Sequence, residues 1–190
     1  MVIRQFDFSR WLTSDRPQPY NSWGNGSAMR VSACGWAGRS VDEVKAISRA
    51  VTEVTHNHPE GVKGAEATAV ATFLARTGST KDEIRDVVVR DYYPLGFTLD
   101  EIRPRYGFDV SCQGSVPQAL EAFLESTSFE DAIRNAISIG GDSDTIGAIA
   151  GAVAGAHYGV PDGIREKAVS FLDPFLVDTL GRFESLKFEV

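Results

Sequence analysis

Gly140-Gly141-Asp142-Ser143-Asp144-Thr145 runs directly into Ile146 to Tyr158, a segment built almost wholly from Gly, Ala, Ile and Val. That segment reads as a buried helix, so its first turn carries two carboxylates and a hydroxyl at the edge of a core. A helix start offers free N–H groups and partial positive charge, which stabilise one anionic side chain, and Asp142 can serve as an ordinary N-cap. A second aspartate two residues on asks for a further partner. Hard oxygen donors with room for water suit Mg2+ or Mn2+, and three such groups fill half of a shell of about six. The pattern alone leaves two readings open, metal binding and capping with solvation.

The same helix carries Gly147, Gly151, Gly155 and Gly159 at four-residue spacing. Such a stripe lets a neighbouring helix backbone come close, which must outweigh a cost of about 1 kcal/mol for each interior glycine relative to alanine. This predicts that the helix lies at the centre of a bundle.

Working outward, the neighbouring segments read as helices too. Val41, Val44, Ile47, Val51 and Val54 follow helical spacing, and Ser40 with Glu43 forms a capping box, which predicts a helix over 41–55. A second amphipathic helix is expected over 62–76 after the break at His56-Asn57-His58-Pro59-Glu60-Gly61, and a third over 80–93, capped at Ser79 or Thr80 and broken by Pro94. Thr98 caps a short helix ending at Ile102. A loop is expected over 108–115, then helices over 116–126 and 129–139, the latter with Ser128 ahead of it and Glu130 and Asp131 suiting its dipole. A final helix is expected over 162–179, with Phe171, Phe175 and Leu176 as buried candidates, and a short strand over 186–190. With no other period-two strand, no repeat and no linker, the expectation is an all-α bundle, one domain over 1–190, with a loop region over 1–30 and a helical core over 31–180.

Residues 1–30 are rich in punctuation, including Pro17, Pro19, Asn21, Gly24, Asn25 and Gly26. Long loops inside a compact domain are usually functional or disordered, and Trp11, Tyr20 and Trp23 argue against disorder. In the stretch from Asn21 to Arg30, glycines permit close backbone approach, free N–H groups can cradle phosphate, and a Trp face can stack on a base. A surface turn around a core Trp explains the same letters. His56 and His58, two apart on a loop, lack a third nitrogen or thiolate nearby, which favours a structural or pocket-lining role over metal binding.

The totals narrow the function classes. A formal charge of −7 over 190 residues argues against a general nucleic-acid binder. Cys34 and Cys112 lack metal-site spacing and read as reduced, buried residues. No apolar run reaches the ~18 to 20 residues needed to span a bilayer, and the start lacks the features of a signal peptide, so the expected location is cytoplasmic, without a membrane partner.

Four ordered motifs resemble those of the ADP-ribosylglycohydrolase family: Asn25-Gly26-Ser27-Ala28-Met29-Arg30, Thr55-His56-Asn57-His58-Pro59-Glu60-Gly61, Ser115-Val116-Pro117, and Gly140 to Thr145. Their order and spacing match from about Trp11 to Tyr158. The resemblance implies a compact orthogonal helical bundle that holds two Mg2+ or Mn2+ ions and releases ADP-ribose from a modified acceptor, whether protein or small molecule. It implies Asp142, Asp144 and Thr145 as metal ligands. It also implies that Ser22, Trp23, Asn25 and Gly26 meet the diphosphate and adenosine, that His56 lies near the distal ribose, and that Gln113 and Gly114 belong to another substrate loop. Ser27 and Met29 match the motif without an implied role.

One departure is plain. The family carries a Thr-Asp-Asp metal motif and an N-terminal helical segment with a catalytic glutamate, and this sequence contains no Thr-Asp-Asp triplet. The expectation is therefore an N-terminally truncated relative with half of the two-metal site and no assigned catalytic residue. The alternative is an inactive ADP-ribose-binding or structural homologue. Loss of the segment would also expose apolar surface and favour self-association.

Overall fold

The computed structural model describes residues 5–186, so the strand expected over 186–190 falls almost wholly outside the described residues. Twelve helices occupy the described part: α1 (Gln5–Leu12), α2 (Gly26–Met29), α3 (Ser32–Ala37), α4 (Val41–Thr52), α5 (Pro59–Arg76), α6 (Lys81–Asp91), α7 (Leu99–Ile102), α8 (Cys112–Leu124), α9 (Phe129–Ser138), α10 (Ser143–Tyr158), α11 (Asp162–Val169) and α12 (Pro174–Glu184). Among the described residues there is no strand, only an isolated antiparallel bridge between Gly24 and Ser111. The all-α expectation stands.

The most enclosed element is α5 rather than α10. Small residues and threonines surround its axis, and residues from Gly61 to Ala75 are buried on nearly every side, as expected of a helix apolar all round. It packs against α2, α3, α4, α8 and α10. Its buried Thr68 and Thr72 hydroxyls donate to the carbonyls of Gly64 and Thr68, at 3.1 and 2.8 Å, which satisfies them without a partner outside the helix. The larger core unites α5 with α8, α9 and α10 around Phe123, Leu120, Ile146 and Ile149. A smaller one, around Val31, Val44 and Val70, joins α3 and α4 to the other side of α5.

The glycine stripe of α10 serves a different purpose from the one predicted. It admits side chains, not a backbone: a methyl at Gly147, Gly151 or Gly155 would meet Ile137, Ile133 or Phe129 of antiparallel α9 at 3.7, 2.9 and 3.6 Å. Gly155 would also meet Val160 at 3.2 Å.

Helix starts follow local capping chemistry. The side chains of Ser40, Thr80, Thr98 and Ser128 each accept from the backbone N–H three residues on, and at Thr80 and Thr98 the glutamate at that third position completes the box. At Ser40 the box is open, because Glu43 reaches Arg39 N instead, at 2.9 Å. Other boundaries differ from expectation. Residues 1–30 are not all loop, since α1 and α2 lie within them, and α3 follows at once. The segment expected as a loop over 108–115 gives up its second half to α8, which starts at Cys112 under a Ser111 cap and carries Pro117 inside it.

The expected helix over 162–179 is two helices, because Asp173 caps a new one through Leu176 N at 2.9 Å and Pro174 occupies its first turn. Phe171, Phe175 and Leu176 are exposed rather than buried, at 76, 76 and 45%. Neither α11 nor α12 has a buried residue, and the described apolar core ends at Ala154. No helix among the described residues is long and apolar enough to cross a membrane.

Candidate functional site

The junction between α9 and α10 is a tight reversal made by Gly140 and Gly141, with φ of 73° and 72°, a region that glycine enters without a Cβ penalty. A methyl at Gly141 would also strike the Tyr106 ring at 2.4 Å. The reversal puts Asp142 at the N-cap position of α10, yet its side chain makes no capping bond. Its Oδ2 instead accepts from Asn25 Nδ2 at 2.7 Å. Asp142 is thus not a plain cap, which removes the simplest competing account of this carboxylate.

Asp144, exposed in the first turn of α10, accepts from Thr145 N at 2.9 Å. Hydrogen bonding with the neighbouring Asp142 side chain, and then with Thr145 N–H, holds its carboxyl below the usual range. Thr145 is buried and its hydroxyl donates to Met29 Sδ at 3.7 Å. That geometry gives Met29 a role: it takes the hydroxyl proton and leaves the oxygen lone pairs of Thr145 unengaged.

The Ser22 to Ser27 segment faces this cluster because three elements pin it. Asn25 N donates to Val110 O at 2.8 Å, and Cys112 N donates to Trp23 O at 3.0 Å, forming the bridge to the start of α8. Ser27 Oγ donates to Gly61 O at 2.9 Å in α5. Cys112 Sγ donates to Gly24 O at 3.2 Å, and burial pushes this thiol up to about 11, so it is a packed donor and not a thiolate. Asn25 is buried at the centre. Besides Asp142, its amide donates to Ser115 Oγ at 2.9 Å, and Ser115 Oγ in turn donates to Asp109 O at 2.9 Å. Ser22 is buried with its Oγ accepting from Gly24 N at 3.3 Å, which folds the turn on itself.

The two histidines sit on the far side of that turn. His58 caps α5 by accepting from Glu60 N at 3.1 Å, and its ring lies 5.7 Å from the half-buried Trp23 ring. His56 is buried, with Nδ1 at 2.7 Å from Thr55 Oγ1 and 3.2 Å from an Arg30 guanidinium nitrogen. Burial and then the Arg30 charge lower its pKa to about 4, so the ring is neutral at ordinary pH.

The structure therefore gathers Ser22, Trp23, Asn25, Gly26, His56, Asp142, Asp144 and Thr145 around one end of α2, α5 and α10. Gln113 and Gly114 differ from expectation. They lie in the first turn of α8 and not in a loop: Gly114 N donates to Ser111 Oγ at 3.1 Å and Gly114 O accepts from Tyr106 Oη at 2.6 Å. Gln113 is exposed. Burial, then the charge of Asp109, push the Tyr106 phenol up to about 12. Sequence reasoning assigned no role to Arg30, Ser115, Tyr106 or Asp109. The first two stand inside quoted motifs, and the last two had no local signal.

The donor chemistry of Asp142, Asp144 and Thr145 suits a hard divalent cation, since all three offer oxygen and none offers nitrogen or sulfur. Among the described residues no group of three or more His, Cys, Asp or Glu side chains comes together in a way that could hold a metal ion. Two carboxylates and one hydroxyl are what this cluster itself supplies.

The sequence matches the family described as ADP-ribosylglycohydrolase over residues 1–175. It is 30% identical over 185 residues to the human protein ADP-ribosylhydrolase ARH3, with 73% of this chain and 51% of that one covered. It is 33% identical over 144 residues to ADP-ribosylarginine hydrolase Tri1 of Pseudomonas putida (strain GB-1), covering 72% of this chain and 39% of that one. The chain spans about half the length of the ARH3 proteins it matches. Among solved structures, one named an ADP-ribosylglycohydrolase-related protein complex superposes with a TM-score of 0.63 over 82% of this chain and 59% of that one, at 24% identity, and so shares its fold. With a match running through nearly the whole sequence, on a helical scaffold that carries the turn at Asn25 to the aspartates of α10, this chain belongs to the ADP-ribosylglycohydrolase family.

Proposed function

We propose that this chain binds ADP-ribose at the Asn25–Asp142 end of the bundle and takes part in hydrolysing the bond between its C1″ and a modified protein or small-molecule acceptor. The observation that carries the reading is the hydrogen bond from Asn25 to Asp142. It ties a glycine-bearing turn suited to a diphosphate to an oxygen cluster suited to a divalent cation. The similarity to ARH3 and Tri1, both named as ADP-ribosyl hydrolases, supports the substrate class.

In this reading Gly26 N–H meets a phosphate oxygen, since Gly24 N and Asn25 N already donate to Ser22 Oγ and Val110 O, and Trp23 offers a ring face to the base. Asn25 orients Asp142, and Met29 orients the hydroxyl of Thr145, so that oxygens from Asp142, Asp144 and Thr145 converge. Mg2+ or Mn2+ held by these three residues would supply positive charge against substrate oxygens as C1″ becomes cationic and its bond breaks.

A second reading, binding without turnover, is favoured by the small donor set. Two carboxylates and a hydroxyl leave most of a cation shell to water or ligand, and no group of three or more His, Cys, Asp or Glu side chains among the described residues adds to them. Calorimetry with ADP-ribose, with and without Mg2+ or Mn2+, on wild type and Asp144→Ala, separates these. Metal-dependent binding lost in the variant supports the site, and equal metal-independent binding by both overturns it. Release of ADP-ribose from modified arginine and serine peptides then selects enzyme over binder.

A further inference from the structure

We infer that Arg30 and Thr55 lock His56 into a single neutral tautomer, with the ring proton on Nε2, so that the ring presents a fixed N–H donor to the Gly24–Gly26 turn. Three distances build the lock. The Arg30 guanidinium lies 2.8 Å from Thr55 Oγ1 and 3.2 Å from His56 Nδ1, and Thr55 Oγ1 lies 2.7 Å from the same Nδ1. A guanidinium has donors and no acceptor, so its approach to Nδ1 is a hydrogen bond only when Nδ1 carries a lone pair; a proton on Nδ1 could reach Thr55 Oγ1 but would stand against the Arg30 N–H. The form that satisfies both Arg30 and Thr55 has the lone pair on Nδ1. Thr55 fits this arrangement, because its hydroxyl accepts from Arg30 with one lone pair and has its own proton to offer to Nδ1.

A neutral imidazole with a lone pair on Nδ1 carries its hydrogen on Nε2. That nitrogen faces the turn: a methyl on Gly24 or Gly26 would come within 3.6 or 3.9 Å of it. Among the described residues no hydrogen bond is made to Nε2, so its hydrogen is available to a bound acceptor. The Tyr20 ring lies beside the His56 ring in a tilted arrangement, at 6.2 Å between centroids. Adding a proton to form imidazolium would put a second positive charge against Arg30 in a buried site, consistent with the depressed basicity already described.

Arg30 is therefore a positioning residue acting through His56. Its consequence is selectivity for an acceptor, a hydroxyl or phosphate oxygen, over a donor at the same point of the turn. This ligand consequence rests on the ADP-ribose reading, whereas the tautomer lock is a property of the free chain.

The test uses the three histidines of the chain. Long-range proton–nitrogen NMR correlation on 15N-labelled protein at neutral pH should show His56 with a pyridine-type Nδ1 and a pyrrole-type Nε2. Arg30→Met should give an averaged or reversed pattern while the protein stays folded by circular dichroism, and Arg30→Lys, which keeps a cationic donor, should restore the original one. A wild-type signal with the proton on Nδ1, or averaged between the nitrogens, overturns the lock. So does an unchanged pattern in folded Arg30→Met. If Arg30→Met does not fold, the wild-type spectrum and Thr55→Val decide in the same way. Arg30→Met should also bind ADP-ribose about tenfold more weakly, the loss of one well-placed hydrogen bond. A wild-type chain that has the Nε2 proton and fails to bind ADP-ribose supports the lock and counts against the ligand reading.

Discussion

Asn25 and Asp142 are 117 residues apart in sequence and meet through one hydrogen bond of 2.7 Å, Nδ2 to Oδ2. The same amide donates to Ser115, so removing it strands two acceptors in a part-buried site. Asn25→Ala should cost about 1 to 3 kcal/mol, the penalty for leaving such groups unsatisfied. Asn25→Asp should be worse for ligand binding than for folding, because it adds a like charge beside Asp142. Thermal denaturation alongside ADP-ribose calorimetry checks both, and an Asn25→Asp protein that binds as tightly as wild type would count against the proposed role.

Asp144 is exposed and its hydrogen bonds, with Thr145 N and the Asp142 side chain, are local. Asp144→Ala should therefore leave stability within about 0.5 kcal/mol of wild type in a chelator. It should lose any rise in melting temperature that Mg2+ or Mn2+ gives the wild type. A variant that keeps the metal-dependent rise would show that the cation binds elsewhere.

How much of this could be read from the sequence follows from the range of the interactions. Caps at Ser40, Thr80, Thr98 and Ser128 act over three residues, so those helix starts were legible. The start of α8 was not, because Pro117 looks like a first-turn signal and hides the Ser111 cap six residues earlier. Likewise the helical period runs smoothly through Ser170 to Asp173, while the Asp-Pro pair that ends it and starts α12 acts more locally than the period does. The aspartates of α10 were visible as a cluster, but that Asp142 forgoes capping to accept from Asn25 is a tertiary fact. Only the order of the motifs hinted at it. Composition likewise marked Phe171 and Phe175 as core residues, and exposure depends on a partner surface that a pattern does not carry.

Gly61 and Gly163 form a matched contrast. A methyl at Gly61 would lie 2.6 Å from Ser22 O and 3.2 Å from His56 Cβ, both in segments of the proposed ADP-ribose site, whereas Gly163 in α11 has nothing within 4 Å. Alanine is favoured over glycine in a helix by up to about 1 kcal/mol, so Gly163→Ala should be neutral or slightly stabilising. Gly61→Ala should instead lose about 1 to 3 kcal/mol by overpacking and weaken ADP-ribose binding by displacing Ser22. Denaturant titration of the two variants checks the difference in sign.

Arg85 and Glu121 join α6 to α8 by two parallel bonds, at 2.9 and 2.7 Å, with the Glu121 side chain 3% exposed and that of Arg85 34% exposed. Burial raises the pKa of Glu121 and Arg85 opposes the rise. Arg85→Ala should cost about 2 to 4 kcal/mol, because it leaves a buried carboxylate without its partner. Replacing both, Arg85→Met with Glu121→Leu, should recover much of that loss. A double variant as unstable as Arg85→Ala would show that packing, not the stranded charge, sets the cost.

His56 makes stability depend on pH in a direction that can be worked out. In the unfolded chain a histidine gains its proton near pH 6.5, and in the fold His56 does so only near about 4. Between those values the unfolded state holds more protons, so stability is complete above the upper value and falls as pH drops toward the lower one. The total loss should be about 3 to 3.5 kcal/mol, from a depression of roughly 2.5 pH units at about 1.4 kcal/mol each. His157 is depressed too, first by burial and then by Lys81, and adds a change of the same sign. The informative quantity is therefore the difference between wild type and His56→Gln, measured by urea denaturation from pH 7 to pH 4. The gap between the two should narrow as pH falls, since the variant has no proton to exclude. A gap that stays constant across that range would show that His56 charges freely in the fold.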